Sequence, residues 1–205
     1  MGRIVISTNV TLDGVSQDPT GEEGSSVGGW FLEISEGDRA AWAALEHEEA
    51  KNTAAYLVGG RSYEWFATRW VGREGEWAAV LNGTPKYVVR SHAGRSDWGP
   101  TTVLDGDLEA AVKDLKARIA GDIVVYASYQ LVESLLAYGL VDEIRLVVTP
   151  TVVGQGRRLF PDGGPALGLR VAESTTTPGG LTILVLEATG PPAFATYDGV
   201  GSVDA

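Results

Sequence analysis

Residues 107–148 constrain the fold more than any other part of the chain, because helical and strand patterns alternate there. In 107–120 the apolar residues recur at spacings of three and four, as on one face of a helix. The apolar run 123–126 is typical of a strand buried on both faces. A second helix pattern follows, which we expect Ser128 to cap, and then a strand at 144–148. This alternation predicts crossover connections and a largely parallel sheet with helices on both faces.

The rest of the chain adds elements to that pattern without a linker that divides it. The predicted helices lie at 36–55 and 63–70, a long glycine-rich loop at 13–29, a closing hairpin near 169–172 and 181–186, and further strands at 4–10, 56–58, 86–89 and 101–104. Loops as long as 13–29 often form lids or binding surfaces. We therefore predict one domain over 1–189, followed by a tail at 190–205.

Composition excludes several classes of protein. Sixteen Lys and Arg against 27 Asp and Glu give a net charge of −11, which argues against an extended nucleic-acid surface. No stretch approaches the roughly 20 apolar residues of a membrane helix. The chain has no Cys, so it has neither disulfides nor thiolate chemistry. Together with the absence of a signal-peptide pattern, this favours the cytoplasm.

Familiar catalytic motifs are missing or stand in the wrong context. The chain has no GxxxxGK[ST] motif, and the GxSxG match at 24–28 lies in a loop, not between a strand and a helix. The two histidines, His47 and His92, have no partner at a metal-ligand spacing, so we predict no metal site. We expect the charged run 46–49 to be a solvated helix face.

Three strand ends carry small residues or cations suited to an anionic ligand. The strand at 123–126 runs directly into a helix start, where free N–H groups and the helix dipole favour phosphate. The second junction is 58–62 and the third is 89–91, and they bring Arg61 and Arg90. In open α/β sheets such ends converge on the carboxyl edge, where ligands bind.

The same junctions carry a resemblance to the dihydrofolate reductase superfamily, and most to the C-terminal reductase domain of the bifunctional riboflavin-biosynthesis deaminase/reductase and its stand-alone relatives. The motifs fall in the family's order over about residues 3–187. They are Thr11-Leu12-Asp13-Gly14, Gly29-Trp30, Leu57-Val58-Gly59-Gly60-Arg61-Ser62-Tyr63-Glu64, Asn82 with Pro85-Lys86-Tyr87-Val88-Val89, Ala127-Ser128, Gly139-Leu140-Val141-Asp142-Glu143 and Pro150-Thr151-Val152-Val153-Gly154-Gln155-Gly156.

The resemblance implies a dihydrofolate reductase-like α/β fold in three layers, with a central, mostly parallel mixed sheet and a C-terminal antiparallel hairpin. It implies an NADPH-dependent reductase of a small heterocycle, by family a phosphoribosylamino-pyrimidine, and a homodimer. The implied cofactor-binding residues are Gly59, Gly60, Arg61, Ser62, Arg90, Ser91, Ala127, Ser128, Tyr129, Gln130 and Leu131. The implied substrate-binding residues are Asn9, Thr11 and Trp30, with Asp13 as the catalytic residue. Asp13 either donates or relays a proton or binds a polar edge of the substrate, or it is simply the acidic residue of an Asp-Gly turn. Trp30 either stacks on a flat ring or packs in the core.

Departures from the family pattern keep other functions open. Gly60 stands where the family has Arg. Ala127 replaces the first Gly of a pair, so a backbone conformation that needs glycine would be strained there. These two residues favour a non-catalytic nucleotide- or flavin-binding module. Asp13, Ser62, Lys86 and Gly154 favour an enzyme, and a pterin, carbonyl or imine reductase is the close alternative.

Overall fold

The computed structural model describes residues 1–89 and 97–194, which contain eight strands and five helices. The strands are β1 (Arg3–Thr11), β2 (Thr53–Gly59), β3 (Lys86–Val89), β4 (Thr101–Leu104), β5 (Asp122–Tyr126), β6 (Glu143–Thr149), β7 (Gly168–Thr176) and β8 (Thr182–Gly190). The helices are α1 (Glu36–Asn52), α2 (Gly60–Trp70), α3 (Glu76–Gly83), α4 (Leu108–Arg118) and α5 (Tyr129–Ala137). Within the described residues, no helix is long and apolar enough to cross a membrane.

All eight strands form one sheet in the order β4-β3-β2-β5-β1-β6-β8-β7. The strands from β4 through β6 pair in parallel, whereas β8 pairs antiparallel with both β6 and β7. The predicted mixed sheet with a C-terminal antiparallel hairpin is therefore confirmed. Parallel pairing places the carboxyl ends of β1, β2, β3 and β5 on one edge of the sheet.

Side-chain alternation on the central strands builds a core on each face of the sheet. Ile4 and Ile6 of β1 pack beneath α4 and α5, and Val5 packs on the opposite face with residues of α1, α2 and α3. All three side chains are fully buried. A strand covered on both faces reads as a continuous apolar run, which explains why β1 and β5 were recognisable from sequence.

The boundary between α1 and β2 differs from the prediction. The helix ends at Asn52 and the strand begins at Thr53, not at Tyr56. The Thr53 hydroxyl donates to the Glu49 carbonyl in the last turn, and Thr53 pairs with Asp122 of β5. Pairing with the central strand thus overrides the helical preference of the alanines that follow.

Other boundaries also shift. Helix α2 begins at Gly60 rather than at residue 63, and the hairpin strands extend to 168–176 and 182–190. Helix α3 was not predicted, although Trp77, Val80 and Leu81 have helical spacing and pack on the core of that face.

Candidate functional site

The turn between β5 and α5 has a backbone that L-residues rarely adopt. Ala127 has φ 50° and Ser128 has φ 66°, so two successive non-glycine residues are left-handed. The predicted capping role of Ser128 is wrong, because its Oγ makes no hydrogen bond to the first turn of α5. Instead Oγ donates to the Tyr126 carbonyl (3.0 Å) and accepts from the Gly59 N–H (3.0 Å). Ser128 therefore joins the start of α5 to the start of α2.

Helices α2 and α5 both begin without a side-chain cap among the described residues and without an acidic residue in the first turn. The other three helices begin differently: α1 has Glu36 and Asp38, α3 has Glu76, and α4 has Glu109 in the first turn. The first N–H groups of a helix have no partner within it and form the positive end of its dipole. Two such ends side by side form a site suited to an anion.

The structure brings most of the predicted cofactor-binding residues to this junction. Gly59 is the N-cap of α2, and Gly60, Arg61 and Ser62 form its first turn. Ala127 and Ser128 form the turn before α5, in which Tyr129, Gln130 and Leu131 come first. Leu131 is only 5% exposed, so it offers a ligand its backbone N–H alone. Arg90 and Ser91 lie outside the described residues.

A folded loop contacts the start of α5. The Tyr129 hydroxyl donates to the Ser16 carbonyl (3.0 Å) and accepts from the Asp18 N–H (3.1 Å). The loop is organised around the buried Asp18 carboxylate, which accepts from the N–H groups of Glu23 and Ser25, both at 2.9 Å. Burial raises the pKa of Tyr129 to about 12, so the hydroxyl stays protonated.

The same loop also contacts α2. The Glu22 carboxylate accepts from the Trp65 indole N–H (2.9 Å) and pairs with Arg69. Beneath the loop, a cavity of about 10 Å³ is lined by Thr8, Ser16, Ala127 and other residues. The Ser16 hydroxyl is buried there without a hydrogen-bond partner among the described residues. The loop predicted as a lid or binding surface therefore borders the junction of α2 and α5.

Asp13 ties the loop after β1 to the segment after β6. Its carboxylate accepts from the Thr11 hydroxyl (2.6 Å) and from the N–H groups of Gly154 (2.9 Å) and Val153 (3.3 Å). The hydrogen bond from the Thr11 hydroxyl lowers the pKa of Asp13, and desolvation raises it. The backbone hydrogen bonds also lower the pKa, so the net shift is downward. Asp13 is therefore ionised at neutral pH, which suits binding and positioning rather than proton donation; its catalytic role stays a prediction.

The other predicted substrate-binding residues differ in exposure. Thr11 is 1% exposed, and its hydroxyl also accepts a hydrogen bond from the Val15 N–H. The Thr11 hydroxyl therefore stabilises the turn that follows β1. Trp30 is 5% exposed, packs against Phe31 and donates its indole N–H to the Gln17 carbonyl. In this conformation Trp30 is a core residue. Asn9 Oδ1 is buried and finds no partner among the described residues.

Sequence reasoning missed a cluster of charges on the α1 face of the sheet. Arg145 donates Nε to Glu143 (2.6 Å), Nη1 to Glu49 (2.9 Å) and Nη2 to Asp122 (2.6 Å). The Tyr126 hydroxyl donates to the other Glu49 oxygen at 2.5 Å. The Glu49 side chain is only 7% exposed, so the prediction of a solvated face at 46–49 is wrong there.

A signal for this cluster existed in the sequence. Glu46 and Glu49 share the helical face of Trp42 and Leu45, which places both carboxylates toward the sheet.

His47, by contrast, packs on Trp77 at 5.9 Å between ring centroids. The described parts of the chain hold no group of three or more His, Cys, Asp or Glu arranged to bind an ion.

Comparison with known families agrees with this geometry. Residues 3–183 match the family described as the RibD C-terminal domain. The chain belongs to the RibD C-terminal domain family. This match confirms the resemblance inferred from the ordered motifs.

Individual relatives are more distant. The Bacillus subtilis strain 168 protein YyaP, named as uncharacterized, is 30% identical over 112 residues, which are 55% of this chain and 59% of YyaP. The match thus spans less than two thirds of that relative's length.

Three solved structures share the fold, and each aligns over 91% of this chain. A Shewanella sp. PV-4 protein named for riboflavin biosynthesis has a TM-score of 0.68 at 16% identity over 98% of its length. A pyrimidine reductase-like protein of Corynebacterium diphtheriae has a TM-score of 0.55 at 14% identity over 91% of its length. The Thermotoga maritima diaminohydroxyphosphoribosylaminopyrimidine deaminase/5-amino-6-(5-phosphoribosylamino)uracil reductase has a TM-score of 0.61 at 13% identity over 56% of its length. At these identities the likeness concerns the fold.

Proposed function

We propose that this RibD C-terminal domain protein is an NADPH-dependent reductase of a small heterocyclic substrate. The observation that supports this most is the pair of helix starts at α2 and α5, which have no side-chain cap among the described residues and are joined through Ser128 and Gly59. In a chain of net charge −11, these two helices alone among the five described lack acidic residues in the first turn. Such a site favours the pyrophosphate of a dinucleotide.

The residues at this junction fit the dinucleotide. In this proposal the backbone N–H groups of Arg61, Ser62 and Gln130 would hold phosphate oxygens, and the exposed Arg61 would add a cation. When bound, the reduced nicotinamide supplies a hydride, and the protein supplies binding, orientation and electrostatics. Asn9 on β1 and Asp13 just after it would supply polar groups to the substrate.

The substrate that family membership suggests is a phosphoribosylamino-pyrimidine, the type of compound that the Thermotoga relative is named for reducing. The proposed reaction reduces its ribosyl group. A homodimer is part of the proposal on the same basis.

A non-catalytic nucleotide- or flavin-binding module is the second candidate. The observation that favours it is Ala127, whose left-handed backbone is retained without the glycine that would relax it. A binding module would keep the anion site and lack turnover.

Titration of NADPH and NADH into the purified protein, followed by tryptophan fluorescence and calorimetry, tests the proposal. The matched variants are Gln130→Glu, which places a charge in the first turn of α5, and Ala44→Glu, which places it on the exposed face of α1. We expect Gln130→Glu to weaken NADPH binding at least about tenfold, or about 1.4 kcal/mol. We expect Ala44→Glu to leave it unchanged.

The outcomes separate the candidates. Binding of NADPH with turnover of the phosphoribosylamino-pyrimidine supports the reductase, and binding without turnover of any pyrimidine or pterin supports the module. Equal loss of affinity in both variants contradicts the site, because only overall charge would then matter. Failure of both dinucleotides to bind contradicts the reductase itself.

A further inference from the structure

Arg157 and Arg158, the arginine pair, are the only two adjacent cations in a chain whose net charge is −11. They follow β6, and the structure holds them against the loop that follows β1. Arg158 forms an isolated antiparallel β-bridge with Val15, and the Arg157 carbonyl accepts from the Ser16 N–H (3.0 Å). The backbone of both arginines is therefore anchored at the carboxyl edge of the sheet, beside the end of β1.

The side chains of the arginine pair lie between Asp13 and the start of α5. Arg158 donates Nε to the Asp13 carbonyl (3.0 Å), and its Nη2 lies 4.0 Å from the Asp13 carboxylate. The Arg157 guanidinium lies 5.6 Å from the ring centroid of Tyr129, the first residue of α5, and its Nε lies 3.9 Å from the Glu133 carboxylate. Since the Arg157 and Arg158 side chains are 43% and 41% exposed, a ligand can reach both.

Most hydrogen-bond donors of the two guanidinium groups have no acceptor in the described part of the chain. The Arg157 side chain makes no hydrogen bond there, and the Arg158 side chain makes only the Nε bond to Asp13. The Asp13 carboxylate already accepts three hydrogen bonds, each shorter than its 4.0 Å contact with Arg158. A guanidinium group carries several N–H donors in a planar fork that matches two oxygens of a phosphate group. The arginine pair is therefore suited to a phosphate monoester.

A buried hydroxyl group lies beside the arginine pair. Ser16, Ala127, Tyr129 and Arg158 are among the residues that line the small cavity beneath the loop. Ser16 is 4% exposed, and within the described residues its hydroxyl has no hydrogen-bond partner. Buried hydroxyl groups in native structures are normally paired with protein or with ordered water. The Ser16 hydroxyl therefore indicates a polar occupant of the cavity, such as one water molecule or one ligand oxygen.

The arginine pair is separate from the junction of α2 and α5. Helix α2 follows β2 and α5 follows β5, whereas Asp13 follows β1 and the arginine pair follows β6. These strands lie in the order β2-β5-β1-β6, and neighbouring strands are about 4.8 Å apart. Two strand spacings, or about 10 Å, thus separate the point between β2 and β5 from the point between β1 and β6. A dinucleotide pyrophosphate at the α2–α5 junction would leave the arginine pair available to a second anion.

We propose that Arg157 and Arg158 bind the phosphate group of the substrate and so select a phosphorylated substrate over its dephosphorylated form. This inference rests on the proposed function and adds to it the residues that recognise the substrate. A phosphate bound here lies beside Asp13, so the non-reacting end of the substrate is fixed next to the predicted catalytic residue. Binding energy from such a remote group orients the reacting atoms, and it raises kcat as well as lowering KM.

The first test measures binding of ribose 5-phosphate and of ribose by calorimetry, and it needs neither cofactor nor turnover. The variants are Arg157→Gln/Arg158→Gln and the matched control Lys113→Gln/Arg118→Gln, which removes two exposed cations from α4. At about 0.15 M salt, the effect of distant charges is largely screened. We expect the wild type and the control to prefer ribose 5-phosphate. The arginine variant should lose at least about tenfold in affinity for ribose 5-phosphate, while binding of ribose is unchanged.

The second test compares kcat/KM with NADPH for 5-amino-6-(5-phosphoribosylamino)uracil and for the same compound without its phosphate. Arg157→Gln/Arg158→Gln should lower kcat/KM for the phosphorylated substrate about 100-fold and leave that for the dephosphorylated compound unchanged. Arg157→Lys/Arg158→Lys keeps the charges but loses the planar donors, so it should recover part of the loss. If the arginine pair only held the turn at Asp13, both substrates would be affected equally.

The outcomes separate this inference from the proposed function. A wild type that does not distinguish ribose 5-phosphate from ribose overturns the phosphate site, and so does an arginine variant that binds ribose 5-phosphate as the control does. Equal losses of kcat/KM for the two substrates also overturn it. Wild-type enzyme that reduces both forms of the pyrimidine equally well supports the reductase and overturns the role of the arginine pair. Wild-type protein that binds no NADPH overturns the reductase, whereas loss of ribose 5-phosphate binding in the arginine variant still supports the phosphate site.

Discussion

Replacing Ala127 by Gly should make the protein more stable, although the same substitution usually destabilises. Ala127 has φ 50°, in the left-handed region, and its side chain is exposed. The methyl group therefore contributes little packing while its Cβ crowds the backbone.

The expected gain follows from two opposing quantities. A left-handed conformation costs a non-glycine residue about 1–2 kcal/mol. Glycine loses about 0.5–1 kcal/mol more chain entropy on folding than alanine does. The net stabilisation is about 0.5–1 kcal/mol, which raises the Tm of a chain of this size by about 1–4 °C.

Thermal and urea unfolding of Ala127→Gly beside Ala44→Gly test this reasoning. Ala44 is exposed in the middle of α1, where glycine should cost about 1 kcal/mol. The two variants should therefore shift Tm in opposite directions. If Ala127→Gly lowers Tm as Ala44→Gly does, the turn is not strained, and the argument that a family glycine is missing there fails.

Two further predictions concern the walls of the site. Asp13→Asn should lower stability near neutral pH, whereas the exposed control Asp162→Asn should not. Because the folded pKa of Asp13 is lowered, its stabilisation is present above the unfolded value of 3.8 and is lost as the pH falls below it. In urea unfolding, the difference in unfolding free energy between the wild type and Asp13→Asn should therefore shrink at acidic pH. Tyr129→Phe removes the hydroxyl that bonds to Ser16 and Asp18 and should cost about 1 kcal/mol. Hydrogen exchange should then speed up in the loop at 16–25, while the exposed control Tyr138→Phe should leave it protected, and unchanged protection in Tyr129→Phe would contradict the role of that hydroxyl.

The framework of the fold was predictable because it rests on local patterns. The continuous apolar, β-branched run of β1 and the period of 3.6 around Val112 and Leu115 both come from residues close together in the chain. The ordered motifs likewise placed Gly59–Ser62 and Ala127–Leu131 at strand ends. The limit of α1 was missed, because Thr53 changes from helix to strand through its pairing with Asp122.

The site was predictable in part for the same reason. The strained backbone expected at Ala127 is present, since it depends on a single turn. The predicted Ser128 cap is absent, because a bond to Gly59, 69 residues earlier, takes its hydroxyl. Trp30 had two interpretations in the sequence, and only packing against Phe31 showed that it is buried here.

By itself, the sequence determined the alternation of strands and helices, the family, and the sheet edge at which small residues and helix starts meet. These properties follow from residues close together in the chain. Only the tertiary structure decided which carboxyl groups are paired and which stands apart. Arg145 reaches Glu49 across 96 positions, and burial of Glu46, together with the nearby charge of Glu49, raises the pKa of Glu46. Protonation depends on distance and burial in space, which no spacing along the chain specifies.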